Sequence, residues 1–250
     1  MLKINCKKET ERIVKFIQET FKEKGFTKAV LGISGGLDSA VVCVLLVKAL
    51  GKNNVYGIML PYGNQKDIDD SKLICKKFEI NTSEIGIKSF VDPLTEFINI
   101  SNIRNGNIMA RIRMIVLYDE SARLNALVVG TGNKTELQLG YFTLYGDGAC
   151  ALEPIGHLYK TQVRQLAKYL KVPKKIIDKA PSAGLWEDQT DEDELGMTYE
   201  EIDLILNDLQ KTHRVSYETN NIKNKGKKLN LIASRMRANK FKMELPKCLN

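Results

Sequence analysis

Residues 32–39, Gly-Ile-Ser-Gly-Gly-Leu-Asp-Ser, have the composition of a phosphate-binding loop. An apolar run at 29–31 precedes them and predicts a buried strand, and a second run at 40–46 predicts a buried helix. Glycines allow the backbone to approach an anion, and the free N–H groups at a helix start point towards it. Ser34 and Ser39 add hydroxyl donors. The loop has no Walker A lysine, so it predicts a different kind of phosphate site.

Asp38 brings a negative charge into this loop. A carboxylate about 4 Å from a phosphate is repelled by roughly 4 kcal/mol at an effective dielectric constant of about 20. The favourable interaction of Asp38 with the helix dipole offsets only about 0.3–1 kcal/mol of this repulsion. The sequence therefore predicts a divalent cation between Asp38 and the phosphates, most simply Mg²⁺.

A second group of candidate residues follows the apolar run at 126–130. Asn133 and Glu136 have the spacing of a capping box, so one interpretation is a well-capped helix. The functional interpretation makes Glu136 a second carboxylate for the cation and Thr131 a nucleotide contact. Both hold together if this helix start faces the ligand.

Lys160, at a predicted helix start, is a candidate for the positive charge that the phosphate loop lacks. A lysine approaches phosphate as a compact point charge. The alternative is an ordinary surface lysine.

Arg111 and Arg113 are candidates for an anionic substrate, but residues two apart lie on different faces of a helix. At most one of them points into a given site. The alternative for either arginine is a surface salt bridge.

The proline and glycine in the segment from Pro181 to Trp186 disfavour a regular helix or strand there, and an acidic run follows at 187–194. We expect a mobile lid at about 185–194 that acts with a basic segment at about 212–228. The alternative for the acidic run is a solvated loop.

Helical patterns alternate with short apolar strands at about 28–33, 54–60, 80–85 and 126–130. This order predicts an α/β fold, a doubly wound parallel sheet flanked by helices, within a single domain over 1–250. Ligands of such sheets bind at the carboxyl ends of the strands. The candidate residues after the first and last of these strands should therefore meet.

Composition narrows the class of protein but does not give the function. The net charge of +8 suits an anionic partner such as a nucleotide or RNA, or a solvated lysine-rich surface. The five cysteines are scattered without a C-x-x-C pair, which suits a reducing cytoplasm. No apolar stretch has the length of a membrane span, so we expect no membrane partner.

Five segments together resemble the NH₃-dependent NAD synthetases of the N-type ATP pyrophosphatase superfamily. They are 32–39, 106–114, 130–140, 155–170 and 181–196, and the resemblance covers about residues 9 to 246. It implies an adenine nucleotide alpha hydrolase-like fold and a homodimer. It also implies adenylation of deamido-NAD by Mg²⁺-ATP, followed by displacement of AMP by ammonia.

The resemblance also implies roles for individual residues. Asp38 and Glu136 would hold Mg²⁺ and act with Lys160 in catalysis, and Arg111, Asn239 and Lys240 would contact deamido-NAD. The residues implied in ATP binding are Gly32, Ile33, Ser34, Gly35, Gly36, Leu37, Asp38, Ser39, Thr131, Lys160 and Ser182.

Three positions depart from the family pattern, all on the deamido-NAD side. Leu144 replaces a lysine, Ala151 an aspartate, and Asn239 the histidine of a His-Lys pair. A relative that adenylates another carboxylate or an RNA base stays open, as does a non-catalytic ATP-binding module. No cysteine pair or added RNA-binding domain is visible, which argues against nucleic acid. With no glutaminase domain visible, we expect free ammonia or a separate ammonia-supplying protein.

Overall fold

The computed structural model places four parallel strands side by side in the part of the chain that it describes. The described residues are 2–63, 67–96, 100–182, 184, 189–212, 225–245 and 248. The strands are β1 (Lys28–Gly32), β2 (Val55–Met59), β3 (Asn81–Glu84) and β4 (Ala126–Val128), in the order β3-β2-β1-β4. The predicted α/β fold with a parallel sheet is confirmed.

Helices connect these strands and cover both faces of the sheet. They are α1 (Cys6–Lys24), α2 (Leu37–Leu50), α3 (Ile68–Phe78), α4 (Lys88–Thr95), α5 (Asn102–Leu124), α6 (Lys134–Leu139), α7 (Lys160–Tyr169), α8 (Lys174–Ile177), α9 (Asp191–Leu195), α10 (Tyr199–Thr212) and α11 (Lys225–Asn239). No helix in the described ranges has the length and apolar character needed to cross a membrane.

Successive residues of β1 enter different cores, as the two-residue period of a strand requires. Ala29 and Leu31 belong to an apolar cluster with α1, α2 and α7, whereas Val30 belongs to a cluster with α4 and α5. A third cluster joins α6, α9, α10 and α11 around the fully buried Tyr199. Cys43 and Cys75 are buried in the first cluster, where they act as apolar fillers.

The segment after β4 continues along the sheet edge. Val129 forms a parallel bridge with Leu152, and the N–H of Gly130 donates to the carbonyl oxygen of Leu152 at 2.9 Å. This pairing fixes the loop that leads into α6.

The acidic run differs from the predicted irregular lid. Thr190 caps the short helix α9, and both Asp191 and Leu195 are buried. A helix of five residues, such as α9, is too short to show a repeating apolar pattern, and the residues that it packs against lie elsewhere in the chain. The lid residues 185–188 and residues 213–224 of the basic segment lie outside the described residues.

Candidate active site

The phosphate loop after β1 rests on the start of α3. Gly35 has a φ of +76°, and a Cβ there would lie 2.5 Å from the carbonyl oxygen of Asp67 and 3.1 Å from the Cβ of Asp70. The hydroxyl of Ser71 donates to the carbonyl oxygen of Ile33 at 3.0 Å. Glycine at position 35 is therefore required both by the backbone angle and by the close approach of α3.

The loop ends at the first turn of α2, where no side chain caps the helix. The N–H of Gly36 donates to the hydroxyl of Ser34 at 3.3 Å, and the hydroxyls of Ser34 and Ser39 are 3.2 Å apart. Uncapped N–H groups beside two hydroxyls have the geometry of an anion cradle, and the binding of phosphate there stays a prediction.

Asp38, Glu136 and Lys160 converge beside this cradle, although they lie on three different helices. The Nζ atom of Lys160 is 2.5 Å from Oδ2 of Asp38 and 3.2 Å from Oε1 of Glu136. The interpretation of Lys160 as a surface lysine is wrong, because its side chain is only 6% exposed. Its ammonium group already lies between the two carboxylates that we assigned to a cation.

Burial and charge act in opposite directions on these groups. Burial raises the pKa of Glu136 to about 7, with Lys160 lowering it and Asp38 raising it further. For Lys160, burial lowers the pKa, but the two carboxylates outweigh burial and hold the pKa above its ordinary value. Lys160 therefore stays an ammonium at neutral pH, whereas Glu136 titrates near neutrality.

Asn133 connects the capping box to the charged site. Its side chain accepts the N–H of Glu136 at 3.1 Å, and the side chain of Glu136 accepts the N–H of Asn133 at 3.1 Å. The Nδ2 group of Asn133 also donates to Oδ1 of Asp38 at 3.1 Å. Glu136 therefore caps α6, as the first interpretation states, and its side chain also contacts Lys160, whereas its role as a ligand of the divalent cation stays a prediction.

Asp191 and Tyr199 form part of this environment, and our sequence analysis did not identify them. The ring of Tyr199 lies 5.2 Å from the Nζ atom of Lys160, within range of a cation–π contact. The hydroxyls of Tyr199 and Tyr141 donate to the two oxygens of Asp191 at 2.9 and 3.3 Å. Burial raises the pKa of Asp191, and Lys160 lowers it.

The structure separates Arg111 from Arg113, as their spacing predicted. Arg113 donates to the carbonyl oxygen of Leu60 after β2 at 3.0 Å, and burial lowers its pKa to about 10. Arg111 is exposed and donates to the carbonyl oxygen of Leu144 at 3.3 Å. Arg111 is therefore the more available of the two for an anionic ligand, and it contacts one of the positions that depart from the family pattern.

Thr131 and Ser182 are both accessible to solvent. Thr131 is partly exposed just beyond β4. Ser182 is exposed, and its hydroxyl accepts the N–H of Gly184 at 3.0 Å. Nearby, Lys179 contacts Asp67 at 2.5 Å and Asp70 at 2.9 Å, which connects this segment to the helix behind the phosphate loop.

Asn239 and Lys240 have described contacts away from the charged site. The amide group of Asn239 donates to the carbonyl oxygens of Leu139 and Arg235 at 3.0 and 3.1 Å. Lys240 is exposed and lies 3.8 Å from Glu244. Asn239 thus caps the end of α6 in this structure.

The sequence as a whole matches one family. The family model described as "NAD synthase" matches residues 9–246. The chain belongs to the NAD synthase family. It is 50% identical over 210 residues to the NH(3)-dependent NAD(+) synthetase of Fusobacterium nucleatum, a match that covers 82% of this chain and 81% of that protein.

Solved structures show the same relationship. The NMN synthetase from Francisella tularensis matches with a TM-score of 0.86 and 35% identity, over 99% of this chain and 100% of that chain. The NH3-dependent NAD synthetase from Campylobacter jejuni matches with a TM-score of 0.84 and 35% identity, with the same coverage. The fold and the family are therefore established by both sequence and structure.

Proposed function

We propose that this chain uses ATP to amidate the carboxyl group of deamido-NAD with ammonia, the last step of NAD biosynthesis. The products are NAD, AMP and pyrophosphate. The observation that carries the proposal is the convergence of Asp38, Glu136 and Lys160 beside an anion cradle, in a chain of the NAD synthase family.

Two bond exchanges account for the products. A carboxylate oxygen of deamido-NAD attacks the α-phosphorus of ATP, and the bond from that phosphorus to the pyrophosphate oxygen breaks. Ammonia then adds to the acyl carbon of the adenylate, AMP leaves with the electron pair of the broken C–O bond, and the nitrogen loses a proton. The substrate carboxylate is the nucleophile of the first step, so no covalent nucleophile of the protein is needed.

The residues of the chain act mainly through charge. Lys160 stays an ammonium, so it stabilises negative charge on the leaving pyrophosphate and does not transfer a proton. The uncapped N–H groups of α2 do the same for the phosphates. The ring of Tyr199 lies 5.2 Å from Nζ of Lys160, and the hydroxyl of Tyr199 in turn donates to Asp191.

Asp38 and Glu136 fit a Mg²⁺ ion. Their oxygens converge on one point, now taken by the Lys160 ammonium, and carboxylate oxygens are ligands that Mg²⁺ prefers. Within the described residues, no group of three or more His, Cys, Asp or Glu side chains could hold a metal. Two carboxylates completed by substrate phosphates is a common arrangement for Mg²⁺. When bound, the ion would neutralise phosphate charge.

A second candidate function is amidation of a mononucleotide. The Francisella structure is an NMN synthetase, and its TM-score of 0.86 is close to the 0.84 of the Campylobacter NAD synthetase. The departures at Leu144, Ala151 and Asn239 also fall on the side assigned to the dinucleotide. Backbone similarity therefore does not choose between the two acids, whereas the 50% identity to a curated NAD synthetase favours deamido-NAD.

One assay separates these candidates. The full chain is incubated with Mg²⁺-ATP, ammonium chloride and either deamido-NAD or nicotinate mononucleotide, and nucleotides and pyrophosphate are quantified. We expect AMP and pyrophosphate in equal amounts, with NAD formed from deamido-NAD at the higher kcat/KM. A preference for the mononucleotide would favour the second function, and release of ADP and phosphate would contradict both. Glutamine in place of ammonia tests the nitrogen source and should give no product.

We also propose that the chain is a homodimer, as in the resembling family. On α5, Ile115 and Tyr118 are three residues apart and therefore lie on one face of the helix, where they are 56% and 42% exposed. Large apolar side chains grouped on a helix face are typical of protein interfaces.

A further inference from the structure

The N-terminus of α7, where Lys160 is the first residue, is capped by two other helices. The N–H of Lys160 donates to the hydroxyl of Thr135 on α6 at 3.0 Å. The N–H of Thr161 donates to Oδ2 of Asp203 on α10 at 2.8 Å. The first N–H groups of a helix have no partner within the helix, and usually an N-cap side chain accepts one of them. Here, side chains distant in sequence do so.

Asp203 and Thr135 are themselves joined. The hydroxyl of Thr135 donates to Oδ1 of Asp203 at 2.5 Å, and Thr135 and Asp203 are 0% and 1% exposed. A carboxylate is stable at such burial only when its oxygens accept good hydrogen bonds, and both oxygens of Asp203 do. This bridge therefore has one defined geometry.

The bridge connects the two helices that carry the charged groups of the site. Thr135 is adjacent to Glu136 on α6, and its hydroxyl holds the backbone of Lys160 on α7. The Lys160 and Glu136 side chains then meet at 3.2 Å. A displacement of one helix start relative to the other changes this distance directly.

We propose that Asp203 is a positioning residue for Lys160 and Glu136, acting through Thr135 and the first turn of α7. Asp203 does not contact Nζ of Lys160 or the phosphate loop in the described structure, so its effect is on placement. This inference rests on the proposed function, in which Lys160 stabilises the leaving pyrophosphate. A stabilisation that operates in the transition state appears in kcat more than in KM.

Asp203 also lies beside Ile202 in the third apolar cluster, so its replacement could simply destabilise the fold. A purely structural role would lower the melting temperature and leave kcat of the folded protein unchanged. A positioning role would lower kcat at temperatures where the variant is fully folded.

The primary test compares Asp203→Asn with a matched control, Glu200→Gln, in the full chain. Both replace a carboxylate of α10 by its amide, and Glu200 also contacts α7, accepting from Arg164 at 3.4 Å. We expect Asp203→Asn to lower kcat by about 10–100-fold, the range for loss of a group that orients a ligand of the reaction centre. KM for ATP should change much less, and Glu200→Gln should behave as the wild type.

Thr135 variants test the same route independently. Thr135→Val removes the hydroxyl and keeps the shape, whereas Thr135→Ser keeps the hydroxyl. We expect Thr135→Val to lower kcat as Asp203→Asn does, and Thr135→Ser to retain much more of it. The double variant Asp203→Asn with Thr135→Val should be little worse than either single variant, because both break one bridge.

Full kcat in folded Asp203→Asn overturns the proposal. If that variant does not fold, equal kcat for Thr135→Val and Thr135→Ser overturns it. A substrate-free measurement separates this outcome from failure of the proposed function. In crystal structures of Asp203→Asn and Thr135→Val, the 3.2 Å separation between Nζ of Lys160 and Oε1 of Glu136 should increase, and in Glu200→Gln it should stay as in the wild type. An unchanged separation in both bridge variants overturns the positioning role even if the wild type proves inactive with deamido-NAD.

Discussion

At the scale of single residues, the charges of the candidate active site do not cancel. Lys160 neutralises only one of the two carboxylates that it contacts, Asp38 and Glu136. Ion groups at this burial stabilise a fold poorly, since desolvation offsets their attraction. The surplus negative charge and the raised pKa of Glu136 are therefore better explained by a cationic ligand than by stability.

The carboxylates can be tested by replacement with amides. Asp38→Asn and Glu136→Gln should each lower kcat by at least roughly 100-fold, comparable to the loss of a group that stabilises transition-state charge. Glutamine at position 136 can still complete the capping box, so the change removes the charge and leaves α6 capped.

Asp193→Asn provides the control, since Asp193 is an exposed carboxylate of α9. Steady-state pyrophosphate release at several Mg²⁺ concentrations is the measurement. Near-normal turnover of Glu136→Gln at limiting Mg²⁺ would reduce Glu136 to a helix cap.

The burial of Glu153 predicts that the stability of the protein depends on pH. Its Oε2 atom accepts the N–H of Gly132 at 2.8 Å, and burial raises its pKa to about 8 from 4.5. The folded state thus keeps a proton that the unfolded state releases, so this contribution to stability is lost as pH rises from about 4.5 to 8. The pKa of Glu136 is also raised by burial, so its contribution to stability likewise falls as pH rises.

We therefore expect the melting temperature of the wild type to fall between pH 5 and pH 8, and Glu153→Gln to reduce that fall. At pH 8 the variant should be more stable by a few degrees, since 1 kcal/mol shifts Tm by about 2–4 °C at this chain length. Calorimetry across this range is the measurement, with the exposed Glu23→Gln as control. A pH dependence unchanged by Glu153→Gln would contradict the assignment.

At the scale of elements, α6 shows how one short helix can hold a site. Glu136 lies in its first turn, and Gly140 ends it with a φ of +62°. A Cβ at Gly140 would collide with Asn239, coming within 2.8 Å of its Cγ. The end of α11 therefore packs against the C-terminus of α6, and glycine is required there for two reasons.

Gly140→Ala should destabilise the protein more than Gly25→Ala. Both glycines end helices with positive φ, but a Cβ at Gly25 would meet nothing within 4 Å. The left-handed backbone costs about 1–2 kcal/mol in each variant, and overpacking adds about 1–3 kcal/mol at Gly140 alone. Urea unfolding measures the loss in the free energy of unfolding for each variant. Equal losses would show that α11 moves away from the new methyl group without an energetic penalty.

The sequence predicted local features of the site well and long-range ones poorly. Residues adjacent in the sequence form the phosphate loop, the capping box of α6 and the start of α7, and local patterns predicted all three. Asp191 and Tyr199 lie near Lys160, and Asp203 bridges α6 and α7, because α9 and α10 pack beside these two helices. Neither periodicity nor spacing contains that information, and the acidic run of α9 predicts a mobile lid, or alternatively a solvated loop, rather than a helix.

At the scale of the whole molecule, the helices that cover the two faces of the sheet expose different apolar side chains to solvent. The face covered by α1 exposes Phe16, whereas the face covered by α5 exposes Ile103, Ile115 and Tyr118. Arg111, which the resemblance assigns to deamido-NAD, also lies on α5. A second copy bound along α5 would therefore lie close to the substrate side of the site.

The proposed homodimer can be tested on this surface. Light scattering of the wild type should give twice the chain mass of 28.2 kDa. Ile115→Glu places a charge at a 56% exposed apolar position of α5 and should shift the mass towards the monomer, because an unpaired charge is costly in an interface. Phe16→Glu makes the same kind of change at a 44% exposed position on α1 and should leave the dimer intact. A monomeric wild type with full activity would contradict the dimer, and dissociation by Phe16→Glu alone would move the interface to the opposite face of the sheet.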